Sequence, residues 1–181
     1  METIINVLID RHNRIRSYLE EKGEISLKTD SDNEFRKVLV LSISSYFESE
    51  ITDALLNLAR STGSDEIVSL IRAKAISRQY HSLFAWDAKN INHFLKLLGE
   101  SFKENVSAEI SRDSRLDEGA KAFLKLGQKR NVLVHENFAS VPIEWTTEEI
   151  AQLYKDASEF IQFLSQKISP RATVCLPEIG Y

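Results

Sequence analysis

The stretch QKRNVLVHEN, residues 128–137, sets Arg130 and Asn131, three aliphatic residues and then His135 in one short segment. These are types that do chemistry: an imidazole exchanges a proton near neutral pH, and a guanidinium grips an oxyanion with a planar fork of donors. A solvent-facing helix has no need of the imidazole, and a buried one would rather exclude the arginine. On a helix Asn131 and His135, four residues apart, share a face at about 40° from one another. Arg130 precedes His135 by five residues and points about 140° away, so the two converge only if the arginine reaches round or the helix is locally distorted. Lys121, Lys125 and Lys129 step by four and form a basic edge leading to Arg130. The same residues also read as a solvated basic face with an incidental histidine, and spacing alone leaves both readings open.

Other chemistries find less support. His12, His81, His93 and His135 are never three or four residues apart, and Cys175 is the only cysteine, so the spacing of a zinc site is absent. Neither a metal nor a cofactor is expected. No glycine-rich loop ends in GK[ST], which argues against P-loop nucleotide hydrolysis. Cys175 has no histidine near it in sequence and is not expected to be a nucleophile. His81, next to Tyr80 and near Phe84 and Trp86, reads as a half-buried packing residue, as does His93 among Ile91, Phe94 and Leu95. Glu48, beside Ser44 and Ser45, makes a polar notch in a strongly apolar helix and faces either solvent or a cleft.

The elements that must position these residues are helical. Gly23, Gly63 and Gly99 each close a stretch of helical spacing. A first helix is expected from about Glu2 to Lys22, with Ile4, Ile5, Leu8, Ile15 and Leu19 inward. After a polar loop, Ser31 or Asp32 caps a long second helix ending near Arg60. Its Phe35, Leu39, Ile43, Phe47, Ile51 and Leu55 recur every four residues, a stripe that drifts slowly round a helix crossing the middle of a bundle. Residues 64 to 80 read as a third helix, a turn near Trp86–Lys89 precedes a short fourth, and ESFKENVSAEISRDSR reads as an irregular excursion. Helix resumes near Leu116 and carries the Arg130–His135 segment. Pro142 breaks it, and TTEE at Thr146–Glu149 forms a capping box for the last helix. Nothing alternates with period two for long, so the class is all-α, a bundle of about five to six helices. One domain is expected over residues 1–168, followed by an extended tail over 169–181.

Composition narrows the partners. With 181 residues, 43% hydrophobic and 28% charged, the chain is an ordinary globular length and make-up. No apolar run approaches a membrane span and no secretory signal is visible, so a cytoplasmic protein is expected, away from membranes. A net charge of −4 excludes gripping nucleic acid through bulk charge, though not a local basic patch.

The Arg130-Asn131-Val-Leu-Val-His135 segment matches the R-x(4–6)-H motif of the HEPN superfamily, including the polar residue after the arginine. The helix RKVLVLSISSYFESEITDALL also resembles the second helix of small bacterial proteins of the RiboL-PSP-HEPN group. The resemblance covers most of residues 1–168 and implies a HEPN-like bundle. It further implies a metal-independent endoribonuclease of a toxin–antitoxin or phage-defence system, with RNA as substrate and an antitoxin or defence-system partner. On that reading the 2′-hydroxyl of RNA is the nucleophile and His135 serves as general acid or base. Arg130 holds the scissile phosphate, and Asn131 orients a phosphate oxygen or the partner's histidine. Lys121, Lys125 and Lys129 recruit RNA, and Glu48 supports the same cleft. HEPN active sites are usually composite, which implies a two-fold homodimer around the motif helix. Gly119 and Gly127, about 80° apart, would let a neighbouring helix approach there. The competing readings are a non-catalytic HEPN bundle that binds nucleotide or a partner protein, and an unrelated structural helical domain.

Overall fold

The computed structural model describes residues 3–77 and 80–169, and helices dominate them. Its α-helices are α1 (Ile4–Glu21), α2 (Ile25–Arg60), α3 (Asp65–Ile71), α4 (Asn92–Leu97), α5 (Glu100–Arg112), α6 (Ser114–His135) and α7 (Thr147–Ile168). A π-helical turn at Arg72–Ile76 and a 3-10 turn at Tyr80–Leu83 join α3 to the loop before α4. There is no strand among the described residues, and none of their helices is long and apolar enough to cross a membrane. The expected tail falls almost wholly on residues 170–181, outside the described ones.

The centre of the molecule is α2, 36 residues and therefore about 54 Å long. Phe35, Leu39, Ile43, Phe47 and Ile51 are all buried, as their four-residue spacing requires. The stripe then drifts: Ala54 takes the inward position and Leu55 is only partly covered. The helix starts earlier than its Ser31 and Asp32 suggest, at Ile25, and the expected polar loop shrinks to Lys22–Glu24 around Gly23 (φ 70°). Asp32 is spent otherwise. Its Oδ1 lies 2.8 Å from Nε2 of His12, whose buried ring stacks on Phe35 at 3.7 Å.

That histidine corrects the expected face of α1. Ile5, Leu8, Ile9 and His12 point inward, whereas Ile4 and Ile15 are 66% and 52% exposed. A second correction is α5, a regular helix where an irregular excursion was expected. Only Phe102, Val106 and Ile110 supply its apolar side, four residues apart, which is enough to seat one turn after another but makes a faint pattern. The third helix is likewise shorter than expected, α-helical only to Ile71.

α6 and α7 form an antiparallel pair laid against α2. Their approach is close because of Gly119, where an added Cβ would lie 2.5 Å from the Asp156 carbonyl oxygen and 2.8 Å from Phe160 Cβ. The capping box at the start of α7 is formed in full, Thr146 accepting from the Glu149 amide and Glu149 from the Thr146 amide. The connection from His135 to Thr146 is held down by two cations of α2. Arg36 donates to the carbonyls of Ile143 and Trp145, and buried Lys37 donates to the Ala139 carbonyl and to Glu34 while lying over the Phe138 ring.

Candidate active site

The C-terminal half of α6 is built inward as far as the motif. Phe123, Leu124, Leu126 and Leu133 are buried, and Gly127 is pressed against the indole of Trp86 so closely that a Cβ would overlap the ring. Trp86 in turn donates its indole N–H to the carbonyl of His81 at 2.9 Å, and Gln128 ties the same loop to α6 through Asp87. A short, aromatic-lined hollow results, with Tyr80, His81, Trp86, Gly127 and Arg130 among its walls.

Arg130 is partly buried on this wall, and burial lowers its pKa while the Glu48 carboxylate beside it acts in the opposite sense. Its Nη1 donates to Oδ1 of Asn131 at 3.3 Å, so the two motif residues are already coupled. Glu48, on α2, lies with Oε2 3.6 Å from Nε2 of His81. His81 is a third exposed, but its Nδ1 is buried and has no hydrogen-bond partner among the described residues. Burial, then the positive charges of Arg130 and of His135, push the His81 pKa down to about 4. It is therefore a neutral imidazole at pH 7. Tyr80 is 2% exposed, its hydroxyl lacks a partner among the described residues, and burial together with the Glu48 charge raises its pKa. His135 itself is exposed at the last position of α6.

Glu48, Tyr80, His81, Arg130 and His135 thus form one electrostatic group, drawn from α2, the 3-10 turn and α6. Arg130 and His135 diverge on the helix, and both disfavour the protonated form of His81. Of the residues singled out from the sequence, Arg130 lines the hollow, Asn131 accepts from Arg130, Glu48 acts on Arg130 from α2, and His135 stands exposed at the end of α6. His81 is half-buried against Tyr80 and Trp86, as its aromatic neighbours suggest, and it also lies beside the Glu48 carboxylate. His93 is exposed and takes no part. The only sign of His81 in the sequence was its place between aromatic residues, which says nothing of a partner 33 residues earlier on α2.

The basic edge lies elsewhere. None of Lys121, Lys125 and Lys129 lines the hollow at Arg130. Lys121 pairs with Asp117 at 2.6 Å and Lys129 with Glu144 at 2.8 Å, while Lys125 and Lys129 lie 4.8 and 5.4 Å from the Trp145 ring centre. The two glycines are corrected as well. Both are filled from within the chain, Gly119 by α7 and Gly127 by Trp86, and neither offers a bare surface to a second copy. Among the described residues no group of three or more His, Cys, Asp or Glu side chains converges as metal ligands would.

Compared with known proteins, residues 6–170 match the model of the RiboL-PSP-HEPN family. No curated protein and no solved structure matches the chain.

Proposed function

The chain belongs to the RiboL-PSP-HEPN family, and from that membership we propose that it is a metal-independent endoribonuclease of a toxin–antitoxin or phage-defence system. HEPN domains often dimerise and act on RNA. The observation that carries the reading is that Arg130 and His81 line one hollow, with Asn131 bonded to Arg130 and Glu48 3.6 Å from His81. RNA brings its own nucleophile, so the protein has only to move protons and hold a phosphorane. Attack of the 2′-oxygen on phosphorus makes the P–O2′ bond and breaks P–O5′. The products are a 2′,3′-cyclic phosphate and a 5′-hydroxyl end.

Arg130 holds the non-bridging oxygens, with its fork already steadied by Asn131. His135, exposed at the helix end, exchanges a proton with the reacting oxygens. Two copies related by a two-fold axis bring two such helix ends to one groove, since a symmetric contact repeats the same patch from each side. The glycines of α6 do not form that contact, so it runs through the exposed end of the helix, where Val134 is 49% exposed next to His135.

The test is cleavage of a single-stranded RNA by the purified protein in EDTA. The expected outcome is cleavage with cyclic phosphate ends, lost about 10²–10⁴-fold in His135→Ala with an unchanged circular dichroism spectrum. Arg130→Lys is expected to lose most of the rate as well, because a point charge does not reproduce the bidentate fork. Strict dependence on a divalent ion, or full activity of His135→Ala, overturns the reading. Binding of RNA or nucleotide with no cleavage points instead to a non-catalytic module.

A further inference from the structure

Two protons move during cleavage at the 2′-hydroxyl, one off O2′ and one onto O5′, and the sequence motif supplies one histidine. We infer that His81 is the second catalytic group: Nε2 takes the 2′-hydroxyl proton, Glu48 stabilises the imidazolium that forms, and His135 protonates the departing 5′-oxygen. The inference rests on the ribonuclease reading and assigns the proton transfers within it.

The geometry supports the division of labour. At 3.6 Å the Nε2–Oε2 contact is longer than a hydrogen bond, so Nε2 is not tied to Glu48 and is free to meet an incoming hydroxyl. Nδ1 is buried, which leaves Nε2 as the nitrogen able to meet substrate. His81 and Arg130 both line this hollow, which at about 10 Å³ is too small to admit a phosphate, so the phosphodiester lies across its mouth, where the ring and the guanidinium are both partly open. The ring is held rigidly, its backbone carbonyl bonded to Trp86 and its edge set against Tyr80 at 5.1 Å.

The titratable groups around His81 are Glu48 on α2, Tyr80 on its own turn, and Arg130 and His135 on α6. Empty, the site keeps the imidazole neutral and a weak base. A phosphodiester on Arg130 cancels one of the positive charges that hold it down, so substrate raises the basicity of the group that must deprotonate it. After the step His81 holds a proton and His135 has lost one, and exchange with water restores both.

An activated leaving group separates the two roles. Nucleoside 3′-(4-nitrophenyl) phosphates of the four bases release nitrophenolate without needing an acid. His135→Ala is therefore expected to lose cleavage of RNA yet retain most of its rate on the aryl ester. His81→Gln is expected to lose about 10²–10⁴-fold in kcat on both, with KM little changed. Wild-type kcat/KM on the aryl ester is expected to fall with an acid limb near pH 4, and kcat with a limb at higher pH. His81→Gln at full rate on RNA, or rescued by the aryl ester as His135→Ala is, overturns the assignment alone. Should His81→Gln fail to fold, an acid limb in wild-type kcat/KM near pH 6.5 does the same. A wild-type protein inert on RNA and on all four esters overturns the ribonuclease reading itself.

Discussion

Gly127→Ala tests the chain of contacts that places His81. In most helices this change stabilises, because alanine loses less backbone freedom, by about 1 kcal/mol. Here the new methyl would occupy the space of the Trp86 six-membered ring. The indole must leave, and it is packed against Phe84, Phe123 and Tyr80 at 4.9, 5.5 and 6.4 Å between ring centres. Each such pair contributes roughly 0.5–1.5 kcal/mol beyond burial. The hydrogen bond to the His81 carbonyl contributes about 1 kcal/mol more. Partial repacking retains some of these contacts, so a loss of about 2–4 kcal/mol offset by the helix gain leaves a net destabilisation of roughly 1–3 kcal/mol. Urea unfolding monitored by Trp86 fluorescence in a Trp145→Phe background measures both the stability and the indole's environment. RNA cleavage should fall along with the emission change, since His81 moves with Trp86. A Gly127→Ala protein as stable as the parent, with unaltered Trp86 emission, refutes the reasoning.

Two further outcomes follow from the charges. Neutralising Lys121, Lys125 and Lys129 together is expected to raise KM for RNA and flatten its salt dependence while kcat stays nearly constant, because these side chains lie off the hollow and two already have acidic partners; a collapse of kcat alone contradicts this. His81 also ties stability to pH. Its folded pKa of about 4 lies below the ordinary 6.5, so the unfolded chain binds the proton first and stability is lost as pH falls from about 6.5 to about 4. With the ring a third exposed, screening reduces the full effect to roughly 1–2 kcal/mol, read as the difference between wild type and His81→Gln in urea unfolding at pH 7 and pH 4.5. Equal stability differences at the two pH values contradict it.

The parts of this molecule that were legible from residue order are those whose cause is local. The Phe35–Ile51 stripe, the capping box at Thr146 and the positive-φ glycines 23, 63 and 99 each follow from spacing within one helix or turn, and each is present. α5 was obscured for the opposite reason: three apolar residues in thirteen hold it down, and their effect depends on what they touch. The same limit applies to the site. Arg130, Asn131 and His135 are visible as a motif because they occupy one helix. Their relation to Glu48 and His81 depends on α2 crossing beside the 3-10 turn, a contact between residues far apart in the chain. Histidines show the ambiguity most sharply. His12 and His81 both sit among aromatic rings next to a carboxylate, at 2.8 and 3.6 Å. His12 is 5% exposed, in hydrogen-bond contact with Asp32 and stacked on Phe35, so its bonding serves the fold. His81 is a third open to solvent, short of a hydrogen bond to Glu48, and faced by an arginine. A partly open imidazole that is not tied to the charged groups beside it remains available to a ligand. That difference of a few tenths of exposure and under one ångström of contact is what sets the histidine proposed to be catalytic apart from the structural one.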